Sequence, residues 1–438
     1  MTAMTAMTGA TGMTGITRRS FGTMAAAAAL AAPATLSAQG APRLVVVGGG
    51  FGGASAARFA RIQYPQLDVT LIEPQGKFIT CPYGNLLLAG RRTLPQITHS
   101  YDGLVKRGVK HVRDTAVAID PAARTVRLAG GERVGYDKLI LSPGIAIRWG
   151  GIAGYDEAAA ETFPHAWLDA DGAQISLLRR QLEDMPDGGV VGFAIPDNPY
   201  RCPPGPYERI SMVASYLKKA KPRSKILALD AKDQFSKQGL FQDGWKELYG
   251  DMVEWVPLGK DGKVVRVDLK EKVFETEFGN RHKVDVGNVI PPQSAAKIAI
   301  DAGLANESGW VPITTRTFEA QKAPHIHVIG DATIAAPMPK SGYIANNTSK
   351  QAVAAAAAAL EGKPAPADPV YFNTCFSHVG DDYGISVINI FRPTDTGFQD
   401  TPGGVSPRGP LSERREQRRL EALHADTWYA SITEDAFS

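Results

Sequence analysis

The stretch RLVVVGGGFGG, residues 43–53, decides the fold of this chain. It predicts a buried strand that runs into a glycine-rich turn, and the residues that follow predict a helix. A second predicted strand, DVTLIEP, ends near Glu73. In such a βαβ unit Gly48 permits the tight turn, Gly50 lets the backbone approach a pyrophosphate, and Gly53 allows close helix packing. A carboxylate at Glu73 can accept hydrogen bonds from a ribose, so the unit is predicted to bind a dinucleotide.

The bulk composition is that of a soluble globular protein. The chain has 438 residues, 44% of them hydrophobic and 21% charged, which allows two or three domains that each bury a core. A net charge of +3 is too small to predict nucleic-acid binding. After residue 40 no apolar run reaches the roughly 18 residues of a membrane span, so no spanning helix is predicted.

The first 40 residues are typical of a targeting segment. Paired Arg18 and Arg19 precede the weakly apolar AAAAALAAPATL and the small residues SAQGA. This order predicts a twin-arginine export signal, cleaved between Ala38 and Ala41, and a mature protein in the oxidising periplasm. The alternative is a disordered tail that contains two arginines.

Two later stretches identify the dinucleotide. YDKLILSPG (136–144) and HIHVIGDAT (325–333) each predict a strand that ends in a small-residue turn. They resemble the turn that leaves the FAD domain of two-dinucleotide flavoproteins and the Gly-Asp motif whose aspartate, here Asp331, holds the ribityl chain. An Ala-rich helix is predicted after Gly342, and its N-terminus can either face the flavin or serve packing alone. The predicted FAD-contacting residues are Gly48, Gly50, Gly53, Glu73, Lys77, Cys81, Ala116, Ser142, Gly144, Gly330, Asp331, Gly342 and Tyr343.

The middle region, residues 153–297, predicts a second Rossmann-like half without its glycine turn. Strands are predicted at GGVVGFAI and KILALD, but the turn between them reads PDNPYRCPPGPYER. Proline has no amide hydrogen to offer a pyrophosphate, so this domain is predicted to have lost the nicotinamide site. We therefore expect that NAD(P)H is not the electron donor.

The predicted fold is α/β, with two Rossmann-like three-layer domains and a C-terminal α+β interface domain. The export signal takes residues 1–40, and the FAD domain is formed by residues 42–152 and 298–366. The NAD-like domain takes residues 153–297. The C-terminal domain, residues 367–438, is expected to cover the flavin and contact a partner.

The three cysteines, Cys81, Cys202 and Cys375, have no metal-ligand spacing, so no metal site is predicted. A thiolate at Cys81, eight residues past Glu73, can form a thioether with the flavin 8α-methyl; the alternative is a half-buried free thiol. Cys202 stands before a predicted helix, whose N-terminus lowers the pKa of a thiol. Pairing of Cys202 with Cys375 would give either a redox disulfide over the flavin or a structural staple.

The chain resembles the flavoprotein subunit of flavocytochrome c sulfide dehydrogenase along its whole mature length. The resemblance rests on GGGFGG, the cysteine after the second strand, CPPGPYER, IGDA, PKSG, NTC and WYASITEDAF. It implies FAD joined through Cys81, a redox disulfide between Cys202 and Cys375, and Glu208 as a base. It also implies hydrosulfide as substrate and a c-type cytochrome subunit as partner. The chain has no Cys-x-x-Cys-His motif, so any haem is expected on another polypeptide.

Three other interpretations remain open. A sulfide:quinone oxidoreductase would share the fold and the cysteines, but the charged SERREQRRLEALHAD argues against a membrane surface. A type II NADH dehydrogenase would need glycines where residues 196–206 carry prolines. A flavin-carrying electron-transfer subunit would lack substrate chemistry of its own.

Overall fold

The computed structural model describes residues 40–438, in which strands and helices alternate from the start. The predicted export segment lies outside the described residues, apart from Gly40. Ala41–Ser438 form one compact unit. The predicted domain limits at residues 152, 297 and 366 fall inside this unit and remain predictions.

The first part of the chain builds most of a parallel sheet. Its elements are β1 (Arg43–Val47), α1 (Phe51–Gln63), β2 (Asp68–Ile72), β3 (Lys77–Ile79), α2 (Gly84–Leu88), β4 (Thr98–Ser100), α3 (Asp102–Lys106), β5 (Lys110–Val112), β6 (Ala116–Asp120), β7 (Thr125–Leu128), β8 (Arg133–Gly135), β9 (Lys138–Leu141) and β10 (Ile145–Ile147). In β1, Val45 pairs with Thr70 of β2 on one side and with Leu139 of β9 on the other. Residues 44–47 of β1 are all buried, as expected for a parallel strand that is covered on both faces.

The middle part contains a second parallel sheet. Its elements are α4 (Ala173–Asp184), β11 (Val190–Ile195), α5 (Gly205–Ala220), β12 (Lys225–Asp230), α6 (Gln238–Tyr249), β13 (Val253–Val256), β14 (Val264–Asp268), β15 (Val273–Thr276), β16 (Arg281–Lys283) and β17 (Val286–Val289). The parallel order is β13-β12-β11-β17, and β14-β15-β16 form a separate antiparallel sheet. This is the Rossmann-like half that GGVVGFAI and KILALD predict.

The chain then returns to the first sheet. The elements are β18 (Gln293–Ala295), α7 (Lys297–Asp301), β19 (Val311–Pro312), β20 (Ile326–Val328), β21 (Thr333–Ile334) and α8 (Gly342–Leu360). With β20 the first sheet reaches five strands in the order β20-β9-β1-β2-β5. The α8 helix begins where Ser341 Oγ accepts the Ile344 amide at 3.1 Å, and it ends before Gly362, which takes a left-handed φ of 68°.

The C-terminal part is a three-stranded antiparallel sheet with one long helix. It consists of β22 (Tyr371–Gly380), β23 (Tyr383–Pro393), β24 (Phe398–Val405) and α9 (Leu411–Phe437). The α9 helix packs on β23 and reaches α1 of the first part. The predicted fold class, two parallel α/β halves with a C-terminal antiparallel sheet, is confirmed. Within residues 40–438 no helix has the length and apolar content needed to cross a membrane.

Candidate active site

One cavity of about 350 Å³ lies at the carboxyl ends of the strands of the first sheet. Gly48 follows β1, Glu73 follows β2, Ser142 follows β9 and Gly330 follows β20, and all four line the cavity. This edge is where open α/β sheets bind their ligands, because the strand ends and helix N-termini converge there. The start of α8 and the segments that carry the three cysteines complete the wall.

The glycine turn is shaped for close approach of the backbone. Gly48 takes a left-handed φ of 95°, and a Cβ there would lie 2.2 Å from the Ser142 carbonyl oxygen. A Cβ on Gly53 would lie 1.8 Å from the Gly48 carbonyl oxygen, so α1 can pack against the turn only with glycine at that position. Backbone amides hold the Glu73 carboxylate, which accepts from Gly49 at 2.8 Å and from Gln75 at 3.0 Å. The turn, the start of α1 and this acid together form a cradle for a dinucleotide.

Polar atoms on the opposite side of the cavity have no protein partner. Among the described residues, Asp331 Oδ1, Trp167 Nε1 and Trp428 Nε1 are buried without a hydrogen bond, and all three residues line the cavity. Burial raises the pKa of Asp331, and the charges of Arg201 and Lys340 oppose that shift. With Arg201 Nε, which is also buried without a partner, one acceptor and three donors belong to residues that line this cavity, and they suit a ligand that carries both hydroxyl and carbonyl groups. The residues therefore fit FAD.

The structure brings together nearly all of the residues predicted from the sequence. Those that line the cavity are Gly48, Gly50, Glu73, Lys77, Cys81, Ser142, Gly144, Cys202, Glu208, Gly330, Asp331, Gly342, Tyr343 and Cys375. Gly53 lies behind the turn and supports it. Ala116 begins β6, pairs with Leu128 in the antiparallel sheet and is not among the residues that line the cavity, so its contact with FAD stays a prediction.

The three cysteines meet at the cavity as free thiols. The disulfide predicted between Cys202 and Cys375 is not present in this structure. Interaction with the neighbouring Cys202 thiol, aided by the charges of Arg201 and Arg209, lowers the pKa of Cys81 to about 6 although burial opposes the shift. Interaction with Cys81 and burial raise the pKa of Cys202. Cys81 is therefore the more acidic thiol of the pair.

The backbone of Cys202 is fixed in an unusual conformation. Its φ is 59°, in the left-handed region, and its amide donates to the Lys340 carbonyl oxygen at 2.7 Å. Behind the sulfur, a Cβ on Gly205 would lie 2.9 Å from Cys202 Sγ, so the first turn of α5 leaves room for that sulfur only because residue 205 is glycine. A non-glycine residue held at positive φ is a mark of a functional site.

Arg209 is a buried cation that the sequence did not suggest. It is 4% exposed, and its guanidinium donates to Asn85 Oδ1 at 3.0 Å, to the Ala166 carbonyl oxygen at 2.6 Å and to Asn288 Oδ1 at 3.0 Å. It also lies 5.0 Å from the ring centroid of Trp167. Burial lowers its pKa to about 10, which still leaves it charged at neutral pH. Arg209 is the last residue of the CPPGPYER stretch, but its partners come from three segments that are distant in sequence, so its role as a buried cation does not follow from that stretch.

Glu208 lies in the first turn of α5 and faces the cavity. Its Oε1 accepts the backbone amide of His378 at 2.9 Å, and its Oε2 accepts Asn85 Nδ2 at 2.8 Å. Burial raises its pKa, while these two hydrogen bonds and the charge of Lys237 act in the opposite direction. Glu208 is therefore a carboxylate with raised proton affinity, positioned beside the sulfur atoms. Glu208 is therefore not a surface carboxylate that only caps the α5 helix.

In the NAD-like half, the carboxylate that corresponds to the ribose acceptor is already hydrogen-bonded to protein side chains. Asp230 ends β12 as Glu73 follows β2, but it is fully buried and already saturated. It accepts Lys232 Nζ at 2.6 Å, the Tyr207 hydroxyl at 2.7 Å and Trp255 Nε1 at 3.0 Å. A nucleotide ribose would therefore find no free acceptor at this carboxylate, in addition to the missing glycine turn.

This fold and site define a flavoprotein of the two-dinucleotide type, and residues 42–181 match the family model of the pyridine nucleotide-disulphide oxidoreductases. Two more specific models match later residues of the chain. Residues 175–291 match the central part of the sulfide dehydrogenase (flavocytochrome c) flavoprotein chain, and residues 367–437 match the flavin-binding part of flavocytochrome c sulphide dehydrogenase. The chain belongs to the flavocytochrome c sulfide dehydrogenase flavoprotein family.

Individual relatives agree with this assignment. A stretch of 46 residues is 56% identical to the sulfide dehydrogenase (flavocytochrome c) flavoprotein chain of Chlorobaculum thiosulfatiphilum, which is 10% of this chain and 96% of that sequence. The mitochondrial sulfide:quinone oxidoreductase of Mus musculus is 25% identical over 296 residues, 66% of this chain and 65% of that protein. The solved structure of the Aquifex aeolicus sulfide:quinone oxidoreductase has a TM-score of 0.70 at 19% identity and covers 91% of this chain and 92% of that one. The last comparison shows a shared fold.

Proposed function

We propose that this protein is an FAD-dependent sulfide dehydrogenase that oxidises hydrosulfide to sulfur or polysulfide. The observation that carries the proposal is the lining of the cavity: the three cysteines and Glu208 share it with the glycine turn and the Gly330–Asp331 turn. This arrangement allows sulfur chemistry and electron transfer to a dinucleotide to occur at one site. When bound, FAD accepts two electrons and can release them one at a time.

Each side chain has a distinct proposed role. In the oxidised enzyme Cys202 and Cys375 form a disulfide; hydrosulfide forms a bond to one sulfur, the bond between the cysteines breaks, and the other sulfur leaves as a thiolate with the electron pair. Glu208 takes up the proton of the bound hydrosulfide. Cys81, as the more acidic thiol of its pair with Cys202, is the proposed covalent attachment point of FAD.

The proposed electron acceptor is a c-type cytochrome subunit in the periplasm. The name of the Chlorobaculum relative and the absence of a Cys-x-x-Cys-His motif in the sequence support a haem on a separate chain. The twin arginines support export. The competing acceptor is a quinone, because relatives that align over about two thirds of this chain are named sulfide:quinone oxidoreductase and sulfide-quinone reductase. A membrane-bound quinone is the less favoured acceptor, because a helix that lies on a membrane needs a broad apolar face. The α9 helix exposes Leu420 and Leu423 among charged residues, which form only a narrow one.

The test uses purified mature protein, anaerobic, with the flavin spectrum recorded. Hydrosulfide is expected to bleach the flavin and NADH is not, and acid precipitation is expected to leave the yellow colour with the protein unless Cys81 is replaced by alanine. Reoxidation is then followed with a c-type cytochrome and, separately, with a soluble quinone. Rapid bleaching by NADH would reject the proposal. Faster reoxidation by the quinone would move the assignment to a sulfide:quinone oxidoreductase, and no response to hydrosulfide would favour an electron-transfer subunit.

A further inference from the structure

Lys237 joins the middle part of the chain to the C-terminal sheet at Cys375. It stands immediately before α6, and its Nζ donates to the Cys375 carbonyl oxygen at 2.9 Å and to Ser377 Oγ at 2.8 Å. The same nitrogen lies 3.7 Å from Cys375 Sγ. Residues 375 and 377 point to one face of β22, because side chains alternate along a strand. The ammonium group therefore sits on the face of β22 that carries the sulfur.

The backbone conformation of Lys237 indicates a role for the lysine side chain at this position. Its φ is 62°, in the left-handed region where glycine or asparagine is more favourable than lysine. A strained residue of this kind is retained when its side chain performs a task. Two of its three N–H groups satisfy oxygen acceptors, which leaves the third for the sulfur.

The charge of Lys237 also acts on the candidate base. It lowers the proton affinity of Glu208, against the burial that raises the pKa of that carboxyl group. Lys237 itself does not line the cavity, so it reaches the reacting atoms through Cys375 and Glu208. A cation beside a thiol stabilises its thiolate.

We propose that Lys237 is a positioning residue that holds Cys375 on its strand and stabilises negative charge on the Cys375 sulfur in the reduced enzyme. This inference rests on the proposed function only in so far as Cys375 belongs to the redox pair. It places a cation at the third cysteine, as Arg201 and Arg209 provide cations at Cys81. The three sulfur atoms would then be distinguished by their surroundings: Cys81 and Cys375 face cations, and Cys202 remains the less acidic thiol of its pair with Cys81.

The experiment measures alkylation of Cys202 and Cys375 in the reduced holoprotein, with peptide mass spectrometry to separate the two sites. In Lys237→Met the rate at Cys375 with iodoacetamide is expected to fall about tenfold at neutral pH, because the ammonium group beside the sulfur is lost. With anionic iodoacetate the fall is expected to be larger, because the attraction of the reagent is also lost. Lys237→Arg is expected to restore most of the rate. The rate at Cys202 is expected to change by less than about twofold in all variants, since the described hydrogen bonds of Lys237 go to Cys375 and Ser377 and not to that sulfur.

Two further variants separate charge from structure. Ser377→Ala removes one acceptor but keeps the ammonium group, and it is expected to slow Cys375 less than about threefold. Lys218→Met removes a lysine that contacts only the Leu248 carbonyl oxygen among the described hydrogen bonds, and it is expected to have no effect. An unchanged Cys375 rate in Lys237→Met, or an Arg variant as slow as the Met variant, would overturn the proposal, as would a Ser377→Ala variant as slow as Lys237→Met. The bleaching test with hydrosulfide is independent, so failure of the proposed function would leave the alkylation result to decide the role of Lys237.

Discussion

Replacing Cys202 by alanine should raise the pKa of the Cys81 thiol from about 6 toward its ordinary value of 9.0, because the largest contribution to the lowered pKa is the hydrogen bond from Cys202. The smaller contributions of Arg201 and Arg209 would remain. Serine at position 202 retains a hydroxyl donor, so Cys202→Ser should keep most of the shift. The two variants therefore differ in one hydrogen bond and little else.

The size of the effect depends on the pH of the measurement. At pH 7 a thiol of pKa about 6 is roughly nine-tenths thiolate and one of pKa 9.0 about one-hundredth, a ratio of about 90. A thiolate of lower pKa is also a weaker nucleophile, by about 25-fold over three pKa units. The net advantage is then only about fourfold at pH 7 but about 40-fold at pH 5, where the thiolate ratio is near 900. Acidic solution is therefore where the variants separate clearly.

The assay is alkylation of flavin-free, reduced protein by iodoacetamide, with the Cys81 peptide quantified by mass spectrometry between about pH 4.5 and 9.5. The unmodified protein and Cys202→Ser should show a midpoint near pH 6, and Cys202→Ala a clearly higher one. Cys375→Ser serves as the control and should leave the Cys81 midpoint in place. A midpoint that stays near pH 6 in Cys202→Ala would show that the hydrogen bond does not set the reactivity of Cys81.

Three further outcomes follow from the geometry. Glu208→Gln should slow reduction of the flavin by hydrosulfide by about 10²–10⁴-fold. It should also abolish the acidic limb of the plot of rate against pH, since that limb reports protonation of this base, whose pKa is raised by burial. Reduction of the flavin by dithionite is the control and should be unaffected. Gly53→Ala should lower the thermal unfolding midpoint and weaken FAD retention, because its Cβ would lie 1.8 Å from a backbone oxygen, while Gly397→Ala, in open space, should change neither. Tyr83→Phe removes a 2.6 Å hydrogen bond to Asp426 and should lower the free energy of unfolding, measured with denaturant, by about 1–2 kcal/mol. An unchanged free energy of unfolding would show that this hydrogen bond does not stabilise the fold.

The dinucleotide cradle was predictable because its physics is local. A buried strand, a glycine turn and an Ala-rich or amphipathic helix each follow from periodicity and backbone freedom within about 20 residues. The same reasoning located α8, whose alanines favour a helix between Ser341 and Gly362. It does not decide the role of Ala116, because nothing in a short strand tells whether its first residue faces a ligand or a neighbouring strand.

The electrostatics of the site could not be predicted in the same way. The interaction of Cys81 with Cys202, the three segments that surround Arg209 and the contact of Lys237 with β22 all join residues far apart in sequence. Each depends on how the middle part docks on the first sheet, which no local pattern encodes. The prediction paired Cys202 with Cys375 by resemblance, whereas the structure has three free thiols, and Cys202 interacts with Cys81.

The proline-rich turn of residues 196–206 lacks the amide donors of a nucleotide site and carries Cys202 instead. In a nucleotide-binding half this turn would present amides to a pyrophosphate, but here prolines remove the donors and Asp230 is saturated by Lys232. The turn instead carries Cys202 at positive φ with its amide tied to Lys340, which directs the sulfur into the flavin-side cavity. A glycine turn flexible enough to bind phosphate would not hold the sulfur this rigidly. The turn that lacks the amide donors of a nucleotide site is thus the same one that carries the Cys202 sulfur into the cavity.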